Sequence, residues 1–337
     1  MVSETSLNEQ RVAAPKPFRL TLAQALLRNL PPLFSPRLRG CIYPYHRAVA
    51  DDYTFQVVSH AGVEFRGSTA DPHAYSLSVN GYYDWRNLAV AAAVCREGDT
   101  IIEIGANVGT ETVGFSSIVG SRGKVIAFEP LPSNIANLDD LLALNGGLNV
   151  VLFPVAVGNT CTTLRFCAPA GKENSGLGHI ADPADTNSPN QIEVECLTLD
   201  SLAGRLGRAR LVAIDVEGFE VSVILGAQTY IRENRPVVIV EAAGTHQRRA
   251  GFDLSDLHRI LVHMGYQVRS IGRFSLGPVD LSDSAAGTNW LCVHEREQDT
   301  FRRVTSTMRL AGLLPALAGI NPICRRRPTH GSTGGTL

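Results

Sequence analysis

The stretch from Thr100 to Gly109, which reads Thr-Ile-Ile-Glu-Ile-Gly-Ala-Asn-Val-Gly, limits what this chain can fold into more than any other part of it. The segment from Thr100 to Ile104 is short, apolar and rich in β-branched residues, a composition typical of a buried strand. The glycines that follow let the backbone approach a ligand closely. The stretch therefore predicts a small-molecule site at the end of a core strand.

Strand-like and helix-like segments alternate after this stretch. Helices are predicted over residues 110–119, 131–144, 220–232 and 254–264, and strands over 124–128, 149–157, 211–216 and 236–241. Single helices between strands indicate βαβ units and a parallel sheet. The last two strand-like runs, 266–271 and 289–293, are joined by a loop rich in Gly, Ser and Asp, which predicts antiparallel pairing. The predicted fold class is α/β, with a mostly parallel sheet, an antiparallel edge strand and helices on both faces.

The chain divides into four predicted regions. Residues 1–50 form a leader with one amphipathic helix that docks on the main domain, and residues 51–95 form a cap that begins with a small hairpin. Residues 96–296 form the main domain, in which 158–198 are an insertion over the working edge of the sheet. From residue 297 onward Arg pairs, Gly and Pro predict a mobile tail. For the leader and the tail, contact with a membrane surface is the alternative interpretation.

Composition argues against several classes of function. The 31 basic and 32 acidic side chains give a net charge of −1, so no polyanionic partner such as nucleic acid is predicted. The seven cysteines are scattered and form no Cys-x-x-Cys pair, which indicates reduced thiols. The N-terminal residues lack the apolar core of a secretory signal, and no apolar run approaches the roughly 20 residues that span a bilayer. We therefore expect a cytoplasmic chain without a transmembrane segment.

The glycine loop and a nearby acid predict an adenosine site. The helix that begins near Thr110 directs unpaired backbone N–H groups and its dipole at the loop. Counted from Gly105, the second and third glycine positions of a dinucleotide-binding loop hold Asn107 and Thr110, which argues against a nicotinamide cofactor. Glu129 ends the next strand, where it can accept hydrogen bonds from both ribose hydroxyls.

A third motif, Asp215-Val216-Glu217-Gly218-Phe219-Glu220, supplies the candidates for chemistry. Asp215 closes a strand of Leu, Val, Ala and Ile, so it is predicted at the same sheet edge as the glycine loop. Its position makes it the first catalytic candidate. Glu217 and Glu220 stand at the start of a helix, where the dipole favours acids, and for Glu220 this structural role is the preferred interpretation.

Taken together, these motifs resemble those of the FkbM family of S-adenosylmethionine-dependent methyltransferases, over roughly residues 80–245. The matching segments are Gly98 to Gly109, Gly123 to Pro130, Asn134, Asn145, Leu199-Asp200, Asp215 to Glu220, and Gly226-Ala227. The resemblance implies a Rossmann-like class I methyltransferase fold for the main domain, with S-adenosyl-L-methionine as methyl donor. It also implies transfer to oxygen, on a hydroxyl of a sugar, glycoconjugate or natural product. The residues predicted to bind the donor are Glu103, Gly105, Ala106, Asn107, Gly109 and Glu129.

Methyl transfer from a sulfonium is an in-line displacement, and a hydroxyl acceptor needs a base. Asp215 is the first candidate for that role, and Glu241 and His246 are the other two. His179, inside the insertion, could also face the acceptor. A divalent ion held by Asp215, Glu217 and Glu241 is conceivable because carboxylates are hard oxygen ligands, but no His or Cys spacing supports zinc and no metal is predicted.

Two other functions stay open from the sequence alone. One is a nucleotide-dependent oxidoreductase or sugar-modifying enzyme on a related sheet, and the other is a non-catalytic adenosyl-binding protein. We expect the identity of the methyl acceptor to depend on the insertion at 158–198 and on the segment before residue 95.

Overall fold

The computed structural model describes residues 15–168, 175–180, 190–282 and 287–325. Within them the strands are Thr54–Val58 (β1), Glu64–Ser68 (β2), Thr100–Ile104 (β3), Lys124–Phe128 (β4), Val150–Phe153 (β5), Ala156–Val157 (β6), Thr162–Cys167 (β7), His179–Ile180 (β8), Gln191–Leu197 (β9), Leu211–Ile214 (β10), Val237–Ala242 (β11), Tyr266–Ile271 (β12), Leu276–Gly277 (β13) and Thr288–His294 (β14). The α-helices are Phe18–Leu27 (α1), Ser35–Ile42 (α2), Tyr45–Asp51 (α3), Pro72–Asn80 (α4), Trp85–Val94 (α5), Thr112–Val119 (α6), Pro132–Leu144 (α7), Leu199–Leu206 (α8), Glu220–Leu225 (α9), Gln228–Asn234 (α10), Gly244–Arg249 (α11), Leu254–His263 (α12) and Asp299–Leu313 (α13).

An eight-stranded mixed sheet forms the centre of the molecule, in the order β13-β12-β14-β11-β10-β3-β4-β5. The strands β11, β10, β3, β4 and β5 are parallel, whereas β14 is antiparallel to both β11 and β12. The predicted α/β class with a mostly parallel sheet and antiparallel pairing towards one edge is therefore confirmed. The long antiparallel strand, β14, lies between β11 and β12 and not at the edge, which the short β13 occupies.

Strand register brings four loop-side residues level with one another. Ile104 pairs with Phe128 of β4 and with Ile214 of β10, and Ile214 in turn pairs with Val240 of β11. Because parallel strands end at the same edge of a sheet, the residue after each of these positions lies in one row. In sheet order the members of this row are Glu129, Gly105, Asp215 and Glu241.

Helices cover both faces of the sheet because alternate residues of each strand are apolar. Ile102 and Val212 pack against α8, α9, α10 and α12 on one face. Ile101 and Leu211, one residue earlier on the same strands, pack against α5, α6 and α13 on the other face. The helices α4 and α7 enclose a third apolar cluster with β1 and β2, next to the loop that follows β3.

Two predicted elements are each divided in the structure. The strand predicted over 149–157 becomes β5 and β6, which belong to different sheets, because Pro154 between them has no N–H to donate. The helix predicted over 220–232 becomes α9 and α10, separated at Gly226. A side chain at Gly226 would overlap the carbonyl oxygen of Gly158, so this glycine lets the start of the insertion pack on the break.

The insertion and β6, which directly precedes it, form a small second sheet in the order β6-β9-β7-β8. The strands predicted at 162–166 and 192–197 are present as β7 and β9, which pair antiparallel. The insertion is also tied to α4, because the backbone N–H and hydroxyl of Ser175 donate to Asp71 Oδ2 at 3.0 and 2.5 Å. Asp71 also caps α4 by accepting from the N–H groups of His73 and Ala74. This contact holds the insertion over the end of the main sheet.

The segment before β1 contains three helices, where the sequence predicts one. Leu20, Ala23 and Leu27 of α1 are buried against α4, as the docking interpretation requires. The expectation of a mobile tail does not hold for residues 299–313, which form α13 and pack on α5. Its buried residues Val304, Met308 and Ala311 recur at helical spacing, a signal that the Arg pairs and glycines obscured. In the described part of the chain, no helix combines the length and the apolar character needed to cross a membrane.

Candidate active site

A cavity opens at the end of the sheet where the parallel strands terminate. It holds about 960 Å³ of empty space, counted out to its open mouth and including solvent there. The loops after β3, β4 and β10 form its floor, α4 and the segment before α5 form one wall, and the insertion forms another. The predicted donor-site residues Glu103, Gly105, Ala106, Asn107 and Glu129 all line it, and so do Asp215 and Glu217. Gly109 is not among the lining residues.

Glu129 is fixed by two backbone N–H groups. Its Oε2 accepts from the N–H of Asn107 at 2.8 Å, and its Oε1 accepts from the N–H of Leu131 at 2.9 Å. Burial raises the pKa of Glu129 to about 7, although these hydrogen bonds and one from Asn134 oppose the rise. Each oxygen keeps a lone pair for a further donor, so the carboxylate can receive two hydroxyl groups from a ligand.

Asn107 stands at the sharpest point of the glycine loop, with a φ of 51°. Asparagine tolerates this left-handed conformation better than most residues. Its Oδ1 accepts from Asn134 Nδ2 at 3.1 Å, and its Nδ2 lies 3.4 Å from His73 Nδ1. The loop is therefore held by β4, α7 and α4 together, in the shape that brings its N–H to Glu129.

Two glycines of the loop have different tasks. Gly105 has a φ of 89°, and a side chain there would overlap the carbonyl oxygen of Asp215 on the neighbouring strand. Gly109 has a φ of 85°, and a side chain there would press on Leu138 and Leu141 of α7. Gly105 therefore lets the loop after β3 pack against the backbone of Asp215, whereas Gly109 serves helix packing.

Glu103 lies within β3 and is buried. Its Oε2 accepts from the hydroxyl of Thr112, at the start of α6, at 2.7 Å. Burial raises the pKa of Glu103 well above its usual range, and the nearby Glu111 and Glu129 add to the rise. This carboxyl group links the strand to the helix below the loop and faces the floor of the cavity.

Asp215 follows the last residue of β10, as predicted, and its side chain is exposed to the cavity. Surrounding protein atoms still desolvate the carboxyl group, and this desolvation is the main reason that the pKa of Asp215 is well above its usual range. Negative charge on Glu241, Glu217, Glu220 and Glu111 raises it further. A carboxylate with a raised pKa is a stronger proton acceptor once it is ionised.

Glu220 holds the turn that carries Asp215 and Glu217. Its carboxylate accepts from the N–H of Val216 at 3.0 Å and from the N–H of Gly218 at 3.1 Å, and the side chain of Gln247 also donates to it. Burial, followed by the charge of Glu241, raises the pKa of Glu220 to about 7. The structural interpretation of Glu220 therefore agrees with its contacts, but it acts through the turn more than through the helix dipole.

Glu217, Glu241 and His246 meet beside Asp215. His246 Nδ1 lies 3.0 Å from Glu217 Oε2 and 3.9 Å from Glu241 Oε2. Glu217 has a φ of 55°, an uncommon conformation that turns its side chain back into this group. Of these three, only Glu217 lines the cavity, so Glu241 and His246 stand behind it. Their ligand atoms lie within 4.8 Å of one another, a spacing at which carboxylates occur both with and without a divalent ion.

Several lining residues were not selected from the sequence, namely His73, Tyr83, Glu111, Phe166, Ser175 and Phe219. His73 and Tyr83 pack their rings 4.7 Å apart on the wall that α4 and the segment before α5 form. No local sequence motif identifies His73 or Tyr83, because α4 and the segment before α5 reach the cavity only through tertiary packing. The side chain of His179 lies outside the described part of the structure.

The residues present fit an adenosyl ligand. Glu129 offers two lone pairs that a diol could fill, and the adjoining wall is apolar, with Phe128, Val155 and Ile180 among its lining residues. Asn134, on the same side, carries an amide that can contact a base edge. A flat aromatic group flanked by a diol therefore matches the chemistry of this end of the cavity.

A sequence model of the methyltransferase FkbM domain matches residues 103–268. No curated protein matches the chain. Similar solved structures include methyltransferase FkbM from Methylobacillus flagellatus KT, with 14% identity, 77% of this chain and 60% of that chain covered, and a TM-score of 0.43. Fibrillarin from Aeropyrum pernix in complex with S-adenosyl-L-methionine has 14% identity, coverage of 71% and 94%, and a TM-score of 0.36. Precorrin-6y C5,15-methyltransferase from Geobacter metallireducens GS-15 has 14% identity, coverage of 62% and 87%, and a TM-score of 0.35.

These structural likenesses are too distant to carry an argument about function. The domain match, together with the strand order, confirms the predicted family and the predicted methyltransferase fold. It also confirms S-adenosyl-L-methionine as the cofactor, and it favours this donor over the nicotinamide alternative.

Proposed function

Residues 103–268 of this chain belong to the FkbM methyltransferase family, and from this premise we propose that the protein methylates a hydroxyl group of a sugar, glycoconjugate or natural product. The observation that carries the proposal is the row Glu129, Gly105, Asp215 and Glu241. It puts a diol-binding carboxylate and a carboxylate of raised pKa two strands apart, facing one cavity.

The donor-binding half consists of Glu103, Gly105, Ala106, Asn107 and Glu129, with Gly109 in a packing role. When bound, S-adenosyl-L-methionine supplies an electrophilic methyl group on a sulfonium centre. Glu129 would accept the ribose hydroxyls, Phe128 and Val155 would contact the adenine, and the loop N–H groups before α6 would hold the methionyl end. Such contacts would position the donor relative to Asp215, and positioning supplies much of the rate of an in-line displacement.

Asp215 is the proposed catalytic base. With the donor bound, the Asp215 carboxylate would orient the acceptor hydroxyl and take its proton as the methyl group passed to the acceptor oxygen and the sulfur left as a neutral thioether. Carboxylates accept hydrogen bonds and do not donate them when ionised, so this group orients an O–H donor. Glu217, His246 and Glu241 stand behind it, and we assign them the role of passing the proton on from Asp215 to solvent.

The test is a screen of glycosides and natural-product alcohols with radiolabelled donor and purified protein. Asp215→Asn is expected to lower kcat about 100-fold or more, because an amide cannot take the proton, while donor affinity measured by calorimetry stays within about twofold. Asp139→Asn, on the exposed side of α7, is the matched control and should behave as wild type.

The pH dependence gives a second readout. Because the pKa of Asp215 is raised and the base must be ionised, kcat of the wild type should rise with pH through that pKa. Transfer to amines in preference to alcohols, or full activity in Asp215→Asn, contradicts the proposal. Activity that a chelator abolishes and Mg²⁺ restores would reassign Glu217, Glu241 and His246 to a metal site.

A further inference from the structure

Exposed apolar side chains concentrate in two segments, residues 15–50 and 300–325. Of the 15 exposed large hydrophobic side chains in the described residues, ten lie in these segments, although the segments contain only 62 residues. They are Phe18, Leu22, Leu26, Phe34, Leu38, Tyr45, Leu310, Leu313, Leu317 and Ile320. Scattered apolar residues need no explanation, but a cluster of this size indicates a contact surface.

The fold brings the two segments side by side. The N–H of Leu33 donates to the carbonyl oxygen of Gly312, and the N–H of Ala316 donates to that of Asn29, both at 3.2 Å. Phe34, Leu313 and Leu317 are direct chain neighbours of these junctions. The leader and the C-terminal segment therefore adjoin at these junctions, and exposed apolar side chains flank the junctions on both segments.

The helix α1 is apolar on both sides. Leu20, Ala23 and Leu27 are buried against the domain. Phe18, Leu22 and Leu26 recur every fourth residue, which places them in one stripe on the other side of the helix. They are 77%, 37% and 52% exposed. The exposed stripe is not needed to dock α1 on the domain, because the buried stripe already makes that contact.

Charge distinguishes this surface from the rest of the chain. Residues 15–50 contain six Lys or Arg and residues 300–325 contain four, and neither segment contains Asp or Glu. The other 275 residues carry 21 basic and 32 acidic side chains. The net charge of −1 therefore conceals a strongly polarised molecule. Arg19, Arg37, Arg303 and Arg325 are among the exposed basic groups of the surface.

We propose that the surface formed by residues 15–50 and 300–325, here called the basic apolar surface, binds the face of an anionic lipid bilayer. Leucine and phenylalanine side chains enter the headgroup boundary while Arg and Lys contact lipid phosphates, the combination that holds interfacial helices on membranes. Nucleic acid would use the arginines but has no use for the leucine stripe. A second copy of the chain would set the exposed arginines of one copy against those of the other.

The basic apolar surface is connected to the cavity through α1 and α4. Gln24 and Arg28, on and just after α1, donate to the carbonyl oxygen of Ser78 in α4 at 3.1 and 2.9 Å. His73, five residues earlier in the same helix, lines the cavity. The rise between these positions is about 8 Å, so a bilayer on the surface lies close to the catalytic wall. The binding proposal itself does not depend on the methyl-transfer proposal.

The test is co-sedimentation of the full-length protein with vesicles. Phosphatidylcholine vesicles are compared with vesicles that contain phosphatidylglycerol in addition, at low and at high NaCl concentration. We expect binding only to the anionic vesicles, with a loss of at least fivefold at high salt because the charges are screened.

Two double variants carry the same added charge. Leu22→Glu with Leu26→Glu should weaken anionic-vesicle binding at least tenfold. Val151→Glu with Val262→Glu, at two valines that are each 47% exposed elsewhere, should bind as wild type. Both should keep wild-type donor affinity, which excludes unfolding as the cause.

Equal loss in both double variants, or equal binding to neutral and anionic vesicles, overturns the proposal. So does the absence of vesicle binding together with a dimer that dissociates only in the leucine variant, which would assign the surface to a second copy. Tighter binding to an RNA or DNA oligonucleotide than to the vesicles, unaffected by the leucine changes, also overturns it.

Discussion

At the residue scale, the site is dominated by carboxyl groups with raised pKa values. Burial is the leading cause for Glu103, Glu111, Glu129, Asp215 and Glu220, and their mutual repulsion adds to it at several of them. Such a group of acids is costly to keep ionised in the folded state. Carboxyl groups whose ionised form is destabilised in this way are typical of functional sites, where they transfer protons or bind hydrogen-bond donors.

Glu111 offers a clean test of this cost. Its Oε1 accepts from Asn87 Nδ2 at 2.9 Å, and burial, then the charge of Asp84, raises its pKa to about 8. The unfolded chain releases this proton near the ordinary value for Glu, so the carboxyl group lowers stability progressively as pH rises to about 8. Glu111→Gln keeps the acceptor oxygen and removes the charge. We expect the variant to be more stable than wild type by roughly 1–3 kcal/mol at pH 9 and to differ little at pH 4.

The measurement is the free energy of unfolding in urea at several pH values. The difference between the two curves reports the titration of Glu111 together with its charge coupling to Glu103 and Asp215. A constant difference across this range would show that the group is not ionised at a shifted pKa.

At the element scale, glycines with positive φ set how closely the loops approach. A side chain at Gly105 would overlap the backbone of Asp215, and one at Gly218 would overlap the carbonyl oxygen of His246. The loop after β3 therefore rests on the loop after β10, which in turn rests on α11. This close backbone packing fixes the loops that carry the row of site residues.

Gly105→Ala should therefore destabilise the fold far more than the strain of placing alanine in a left-handed conformation would by itself. Gly98 precedes the same strand with a φ of 96°, similar to the 89° of Gly105, but has open space where a side chain would be. Gly98→Ala is expected to cost about 1–2 kcal/mol of stability for the left-handed conformation. Gly105→Ala should cost at least about 2 kcal/mol more, and it should also weaken donor binding. Thermal denaturation and calorimetry measure both effects, and equal destabilisation by the two changes would refute the close contact.

Elements whose sequence pattern lies within their own residues could be predicted from the sequence. The strand ends at Glu129, Asp215 and Glu241 could be predicted because an apolar run and the acid after it are both local features. Their shared edge followed from parallel strand direction. In contrast, Gln247 could not be predicted as a partner of Glu220, since the two meet only when α11 packs against the turn before α9. The same holds for His73 and Tyr83, which reach the cavity through the packing of α4.

At the scale of the whole molecule, the leader helices from residue 15 onward and the segment 299–325 lie side by side. The helix α13 packs on α5 with Gly312 against the ring of Trp85, and the leader lies beside it. Trp85 belongs to the helix that feeds β3, so the C-terminal segment supports the strand that leads into the donor loop. The domain therefore needs residues well outside the 103–268 match to complete its core.

Met308→Ala tests whether α13 is part of that core. Met308 is fully buried in the cluster that α5 and α6 share with the sheet, and its truncation should lower the free energy of unfolding by about 2–5 kcal/mol. Leu313→Ala, at a residue of the same helix that is 52% exposed, should change it by less than about 1 kcal/mol. Urea denaturation followed by tryptophan fluorescence reports on both, since Trp85 adjoins α13. If the two variants unfold at the same urea concentration as wild type, α13 is an appendage, and the catalytic fold ends with β14.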